Sequence, residues 1–171
     1  MIHPDKLIKF AVYGGDEDFL GVVDVTLPNL TPLKETSKGA GILGEYETGT
    51  PGQYGSLKLQ MTWRVATKQA AKLAHPDGMA LTLKGVTQGI DSGTYKPTKT
   101  PVTVTVRPFA SDLQLGKFDP ATAMGTTTEV ECLYIKYTID GEIIYEVDKL
   151  NDKCIINGED VMSEINTMLG R

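Results

Sequence analysis

The feature that most constrains the fold is a period of two. Over Lys6–Tyr13, Phe19–Leu27, Ser56–Val65, Met79–Val86, Val102–Val106 and Val130–Ile139, apolar and polar residues alternate or gather in short β-branched blocks. That is the pattern of strands with one buried face. In Val102–Val106 (VTVTV) the valines fall on one face and Thr103 and Thr105 on the other, because successive side chains of a strand point to opposite sides. Asp140-Gly141, between Tyr137–Ile139 and Ile143–Tyr145, predicts a two-residue hairpin. A type I′ turn needs positive φ at both central residues, and Asp-Gly accepts it.

Helical spacing occurs in two places. Thr67–Ala74 (TKQAAKLA) joins strong helix formers to Thr67 as N-cap and ends at His75-Pro76, where proline forbids continuation. Near the C-terminus, Val161, Ile165, Met168 and Leu169 recur on one helical face. They predict a helix with Glu159 and Asp160 in its first turn, Gly170 at its end and an apolar stripe packed on the sheet. The expected architecture is mainly β, with about eight to ten strands. It is a single β-sandwich or barrel domain over residues 1–171 with one short helix, a C-terminal helix and extended β-hairpin arms.

Two stretches fit poorly into a core. Lys38–Gly55 carries Gly39, Gly41, Gly44, Gly49, Gly52 and Gly55, so a hairpin there gains little from its own side chains and is expected to be mobile in an isolated chain. Gln88–Pro101 (QGIDSGTYKPTKTP) reads as a polar connection too long and turn-rich for a tight hairpin. Both read as arms. Their unpaired edges invite aggregation unless another subunit covers them, and identical copies that exchange edges head-to-tail would close into rings and stack into tubes.

Composition narrows the function. A length of 171 residues suits one domain, and 40% apolar content supplies an ordinary core. The 17 basic and 22 acidic residues leave a net charge of -5, which argues against a surface built to neutralise phosphates. No apolar run approaches the ~20 residues of a bilayer span, and Lys6 and Lys9 interrupt any leader-like core in Met1–Phe10. The expectation is a chain made and kept in a cytoplasm, with Cys132 and Cys154 as free thiols.

Catalytic raw material is scarce. His3 and His75 are the only histidines, and each precedes a proline. The pairs Asp16/Asp18, Glu45/Glu47 and Glu129/Glu131 would each put two carboxylates on one strand face, as a two-carboxylate hydrolase requires. A solvated polar face is the plainer reading. Asp16-Glu17-Asp18 lacks the alternation and terminal Glu of a calcium loop. Gly39–Gly44 (GAGILG) matches G-x-G-x-x-G, but no lysine follows in the Walker manner and no helical pattern begins after Gly44. Trp63 and the scattered tyrosines form no stacking stripe with basic residues. No catalytic residue, metal ligand or cofactor is expected.

The stretch Ile135–Gly170 resembles the C-terminal part of the major tail tube protein family of contractile-tailed bacteriophages. The resemblance runs through a Tyr-containing strand, the Asp140-Gly141-Glu142 turn, a strand ending in Asp148, Asn151, and Ile156–Asp160 leading into a terminal helix. Val25–Leu30 followed by Lys34–Glu47 resembles the family's strand and glycine-bearing arm, and Leu83–Pro97 its segment with Gly, Asp-x-Gly and Lys. The segment 107–127 has no counterpart and looks like an insertion before the last hairpin. The resemblance implies a homo-hexameric ring whose arms build a shared β-barrel around a lumen. Such rings stack inside a contractile sheath, with baseplate and tape-measure proteins as further partners and no membrane.

On that basis the arms lie at about residues 33–65 and 79–106, with Lys34, Glu35, Lys38, Gly39, Gly41, Gly44, Glu45 and Glu47 as inter-subunit or lumen residues. The implied role is a conduit for DNA ejection in the virion tail, after assembly in the host bacterial cytoplasm. A phage-tail-like bacteriocin or a type VI-like secretion tube shares the architecture without DNA passage. Nearly balanced charges between Leu33 and Val65 suit a wall past which a polyanion slides.

Overall fold

A computed structural model of the chain describes residues 1–15, 19–22 and 24–171. The period-two blocks form antiparallel strands: β1 (Ile2–Tyr13), β2 (Phe19–Leu20), β3 (Asp24–Thr26), β4 (Pro32–Lys38), β5 (Glu45–Tyr54) and β6 (Lys58–Trp63). After helix α1 (Lys68–Leu73) come β7 (Leu81–Asp91), β8 (Pro97–Gln114), β9 (Thr126–Ile139), β10 (Glu142–Asp148), β11 (Lys153–Ile156), β12 (Glu159–Asp160) and helix α2 (Ser163–Met168). The large sheet runs β12-β11-β10-β9-β8-β7-β1-β2, with β6 added to β9 and β3 to β6. β4 and β5 form a separate two-stranded sheet.

The long pair β8 and β9 makes the corner. Tyr134–Ile139 of β9 pairs with β10, whereas Thr126–Glu131 pairs with β6. The β8 register slips between Arg107 and Pro108 and again between Ala110 and Asp112. Such bulges bend a sheet, so both halves turn onto one core. Leu59, Met61 and Trp63 from β6 meet Leu81 and Leu83 from β7, Val104 and Val106 from β8, and Val130 from β9. Each is buried, which is worth roughly 1.5–3 kcal/mol per large apolar side chain. The Trp63 indole N–H donates to Thr128 Oγ1 at 3.1 Å inside this core. Cys132 and Cys154 are both buried and free.

Helix α1 starts where the sequence places it. Thr67 is extended and its Oγ1 accepts from Ala70 N–H at 3.1 Å, while Ala70 and Leu73 are buried. The Asp140-Gly141 turn has φ of 50° and 84°, the type I′ geometry expected of it.

Local expectations change at three places: beyond Asn157, over Gln88–Pro101 and over Phe19–Leu27. Asn157-Gly158 makes a second turn of the same kind, with φ of 49° and 83°, so Glu159 and Asp160 pair with β11 as strand β12 instead of opening a helix. The helix is left short, buries none of its residues and exposes Ile165 and Met168, with Leu169 exposed just beyond it. Gln88–Pro101 is mostly ladder: Gln88 pairs with Lys99 and Ile90 with Pro97 around a turn at 92–96. Gly89 lets Ile2 and Thr98 close over the backbone there. Within 107–127, residues 107–114 continue β8 along β9. Met124 N–H then ties the following loop to the Arg64 carbonyl at 2.7 Å. The stretch Phe19–Leu27 contains two short strands, β2 and β3, in place of one.

Candidate functional site

The β4–β5 sheet is a ribbon standing apart from the core. Its ladder sets Lys34 opposite Gly49, Glu35 opposite Thr48 and Lys38 opposite Glu45. Nearly every side chain on it is exposed. Gly39, Gly41 and Gly44 lie in the turn at its tip, where Ile42 N–H reaches the Gly39 carbonyl at 3.2 Å. The G-x-G-x-x-G spacing thus makes a hairpin end with strand on both sides. Leu43 at this tip is fully exposed, and Leu33 and Tyr46 are each at least half exposed. Lys34 and Glu47 approach to 3.8 Å on the solvent side, a contact worth little in water. Glu45 shares that strand face with Glu47 through its i, i+2 spacing.

Among the described residues the ribbon is held only at its base. Gly55 N–H donates to the Thr31 carbonyl at 3.0 Å, and the Lys149 ammonium caps the Gly55 carbonyl at 2.7 Å. Gly52 has φ +70° and lies so close to Met162 that a Cβ there would overlap the methionine sulfur. Tyr54 packs against the core and accepts from the Cys154 thiol. Burial, followed by Cys154, pushes its phenol well above the usual range and keeps it neutral. A lone two-stranded ribbon is marginal in water, so these contacts fix its direction and leave its far end unsupported.

A second projection lies in the large sheet. The outer parts of β1, β7 and β8 extend past the other strands, exposing Ile2, Leu7, Ile8, Val86 and Ile90. Its tip is braced by Asp91, which accepts from Thr94 at 2.9 Å and from Gly93 N–H at 3.2 Å. These bonds hold the Asp91 carboxyl below its ordinary value.

The Glu129/Glu131 pair does share one face of β9, but its oxygens serve as braces. Lys58 donates to Glu129 at 2.8 Å. Glu131 accepts from the Ser56 hydroxyl, from Leu57 N–H at 2.9 Å and from Lys149 at 3.5 Å. Burial alone would raise the Glu131 carboxyl, yet those donors outweigh it and hold it low. Glu146, unremarked in the sequence, is a buried counterpart that accepts from Tyr134 at 2.9 Å and from Lys153 at 3.1 Å. Only its even spacing with Asp148 and the basic Lys153 hint at it. His75 is exposed beside Asp77. Among the described residues no group of three or more His, Cys, Asp or Glu is placed to hold a metal. Asp16, Glu17 and Asp18, and so both readings of that acidic run, lie outside the described residues.

An antiparallel β domain whose carboxylates brace its own strands, and whose apolar side chains and free edges stand out on ribbons, has the makings of an assembly subunit. Residues 4–170 match the family Phage tail tube protein FII, and the chain belongs to that family. It is 27% identical over 183 aligned residues to the tail tube protein of Escherichia phage P2, covering 99% of each chain. The protein is therefore a structural tail tube component of contractile phage or tail-like systems and not an enzyme.

The fold recurs in a cryo-EM structure of an extracellular contractile injection system, the PVC sheath/tube terminator in its extended state. That match has a TM-score of 0.54 and 11% identity over 80% of this chain and 97% of the other. It recurs again in the PVC sheath-tube complex, with a TM-score of 0.50 and 14% identity over 80% and 90% of the two chains.

Proposed function

We propose that copies of this chain close into homo-hexameric rings that stack into the inner tube of a contractile tail. The tube is enclosed by a sheath, joins baseplate and tape-measure proteins, and conducts DNA at ejection. Its place is the tail of the particle, with assembly in the host bacterial cytoplasm.

The observation that carries this reading is the β4–β5 ribbon with Leu43 fully exposed at its glycine-rich tip. Its solitary state leaves backbone edges and apolar side chains in water, and a neighbouring copy relieves both. Lys34, Glu35, Lys38, Glu45 and Glu47 nearly balance in charge along it. A wall built of such ribbons would face a polyanion without gripping it, because each phosphate neutralised adds binding energy.

Negative-stain microscopy of the purified chain tests the proposal. Hollow stacked rings with six-fold end views are expected, and replacing Gly39–Gly44 by a two-residue Asn-Gly turn should abolish stacking while circular dichroism stays native. A chain that remains monomeric at high concentration, even with tail initiator complexes present, would overturn it.

A further inference from the structure

The net charge of -5 conceals a division across the large sheet. At one end, the paired rows Lys6–Gln88–Lys99 and Lys9–Val86–Pro101, followed by Lys84 opposite Thr103, put four lysines on one exposed face of β1, β7 and β8. Lys6 meets Asp5 at 3.6 Å, while Lys9, Lys84 and Lys99 have no ion-pair partner among the described residues. Lys84 lies over the Tyr13 ring, 5.2 Å from its centroid.

At the other end stand Glu159 and Asp160 on β12 and Glu164 on α2. The basic residues of that end are already engaged: Lys149 by Glu131, Lys153 by Glu146 and Arg171 by Asp152. Asp160 accepts from Met162 N–H, but none of these three acids has an ion-pair partner among the described residues.

The two ends cannot neutralise each other within one chain. β1 lies five strand positions from β11, roughly 24 Å at the strand spacing of ~4.8 Å, whereas charges in physiological salt are screened beyond about 8 Å. Among the described residues both ends also finish in open backbone. β2 covers β1 only opposite Val12 and Tyr13, and β12 is two residues long.

We infer that the lysine-bearing β1 edge of one copy docks on the acidic end of the next formed by β12 and α2, so that the charge division of the sheet directs ring closure. Like charges oppose the two-fold pairings β1 with β1 and β12 with β12. The remaining contact joins unlike patches, and heterologous contacts of this kind generate rings. This inference rests on the ring reading above and names the surfaces that meet in it.

The test uses two full-length variants, Lys6→Glu/Lys9→Glu and Glu159→Lys/Asp160→Lys, each checked for native circular dichroism and Trp63 fluorescence. Each alone should lose rings by about tenfold or more in sedimentation and microscopy. Mixed in equal amounts they should recover them. In a mixed ring the reversed lysine edge of one meets the reversed acidic end of the other, and the native patches meet at alternate contacts. Raising salt should weaken native rings as well.

Variants that assemble alone as the native chain does would overturn the inference while leaving the ring reading intact. So would a mixture that stays dissociated. A native chain that forms no rings at all would instead remove the ring reading beneath it. Capture of an acidic partner protein or of DNA by the lysine edge, without ring formation, would also overturn it.

Discussion

Trp63 and Thr128 sit together in the core, and the indole N–H has the Thr128 hydroxyl as its acceptor. Thr128→Val keeps the shape and removes the acceptor, stranding a buried donor. A loss of about 1–3 kcal/mol is expected, measured by urea unfolding with Trp63, the chain's single tryptophan, as the fluorescent reporter. The buried carboxylate Glu146 adds a pH dependence. Burial raises its carboxyl, but Tyr134 and Lys153 together overcome this and lower it below the usual glutamate range. A group whose folded value is depressed contributes stability that is present above its unfolded value, about 4.3, and lost as pH falls through the folded one. Stability of the native chain should therefore decline on acidification below about pH 4.3. Glu146→Gln should lower stability at neutral pH and flatten that decline. None of this was legible in spacing, because whether a carboxylate faces solvent or a tyrosine depends on strands that are distant in sequence.

The two type I′ turns show what governs legibility at the level of elements. Asp140-Gly141 stands between clear period-two strands and is read directly. Asn157-Gly158 has the same chemistry, yet the spacing of Val161, Ile165, Met168 and Leu169 just beyond it imitates a longer amphipathic helix. The backbone settles the competition, since positive φ at both Asn157 and Gly158 turns the chain back along β11 before any helix can start. The β4–β5 ribbon was legible as a glycine-rich arm, but its hinge was not. Gly52 is needed there twice, for its φ of +70° and for the contact with Met162. Gly52→Ala is expected to cost roughly 2 kcal/mol or more and to free the ribbon base. Met162→Ala in the same chain should return part of that loss. Thermal unfolding of the single and double variants measures both effects.

For the whole molecule, assembly and local order should be linked. Lys38–Gly55 has almost no buried side chain and, among the described residues, only its base tied to the domain. Its amides should exchange within seconds in the free subunit and slow strongly in assembled tubes, while β6 and β9 stay protected in both states. Hydrogen exchange read by mass spectrometry checks this, and equal protection of the ribbon in both states would count against ordering by neighbours. The sequence alone determined the mainly β class, the capped short helix, the Asp140-Gly141 hairpin, the free cysteines and the resemblance that the family match bears out. These rest on local rules: side-chain period, cap chemistry and backbone dihedral preference act within a few residues. Only the tertiary structure decided that β8 and β9 carry the corner, that residues 107–114 continue a strand, that Ile165, Met168 and Leu169 stay exposed, and that Glu129 and Glu131 are braces. Strand partners and sheet edges are chosen by contacts between residues far apart in the chain, and local periodicity specifies which face a residue takes but not which strand will lie beside it.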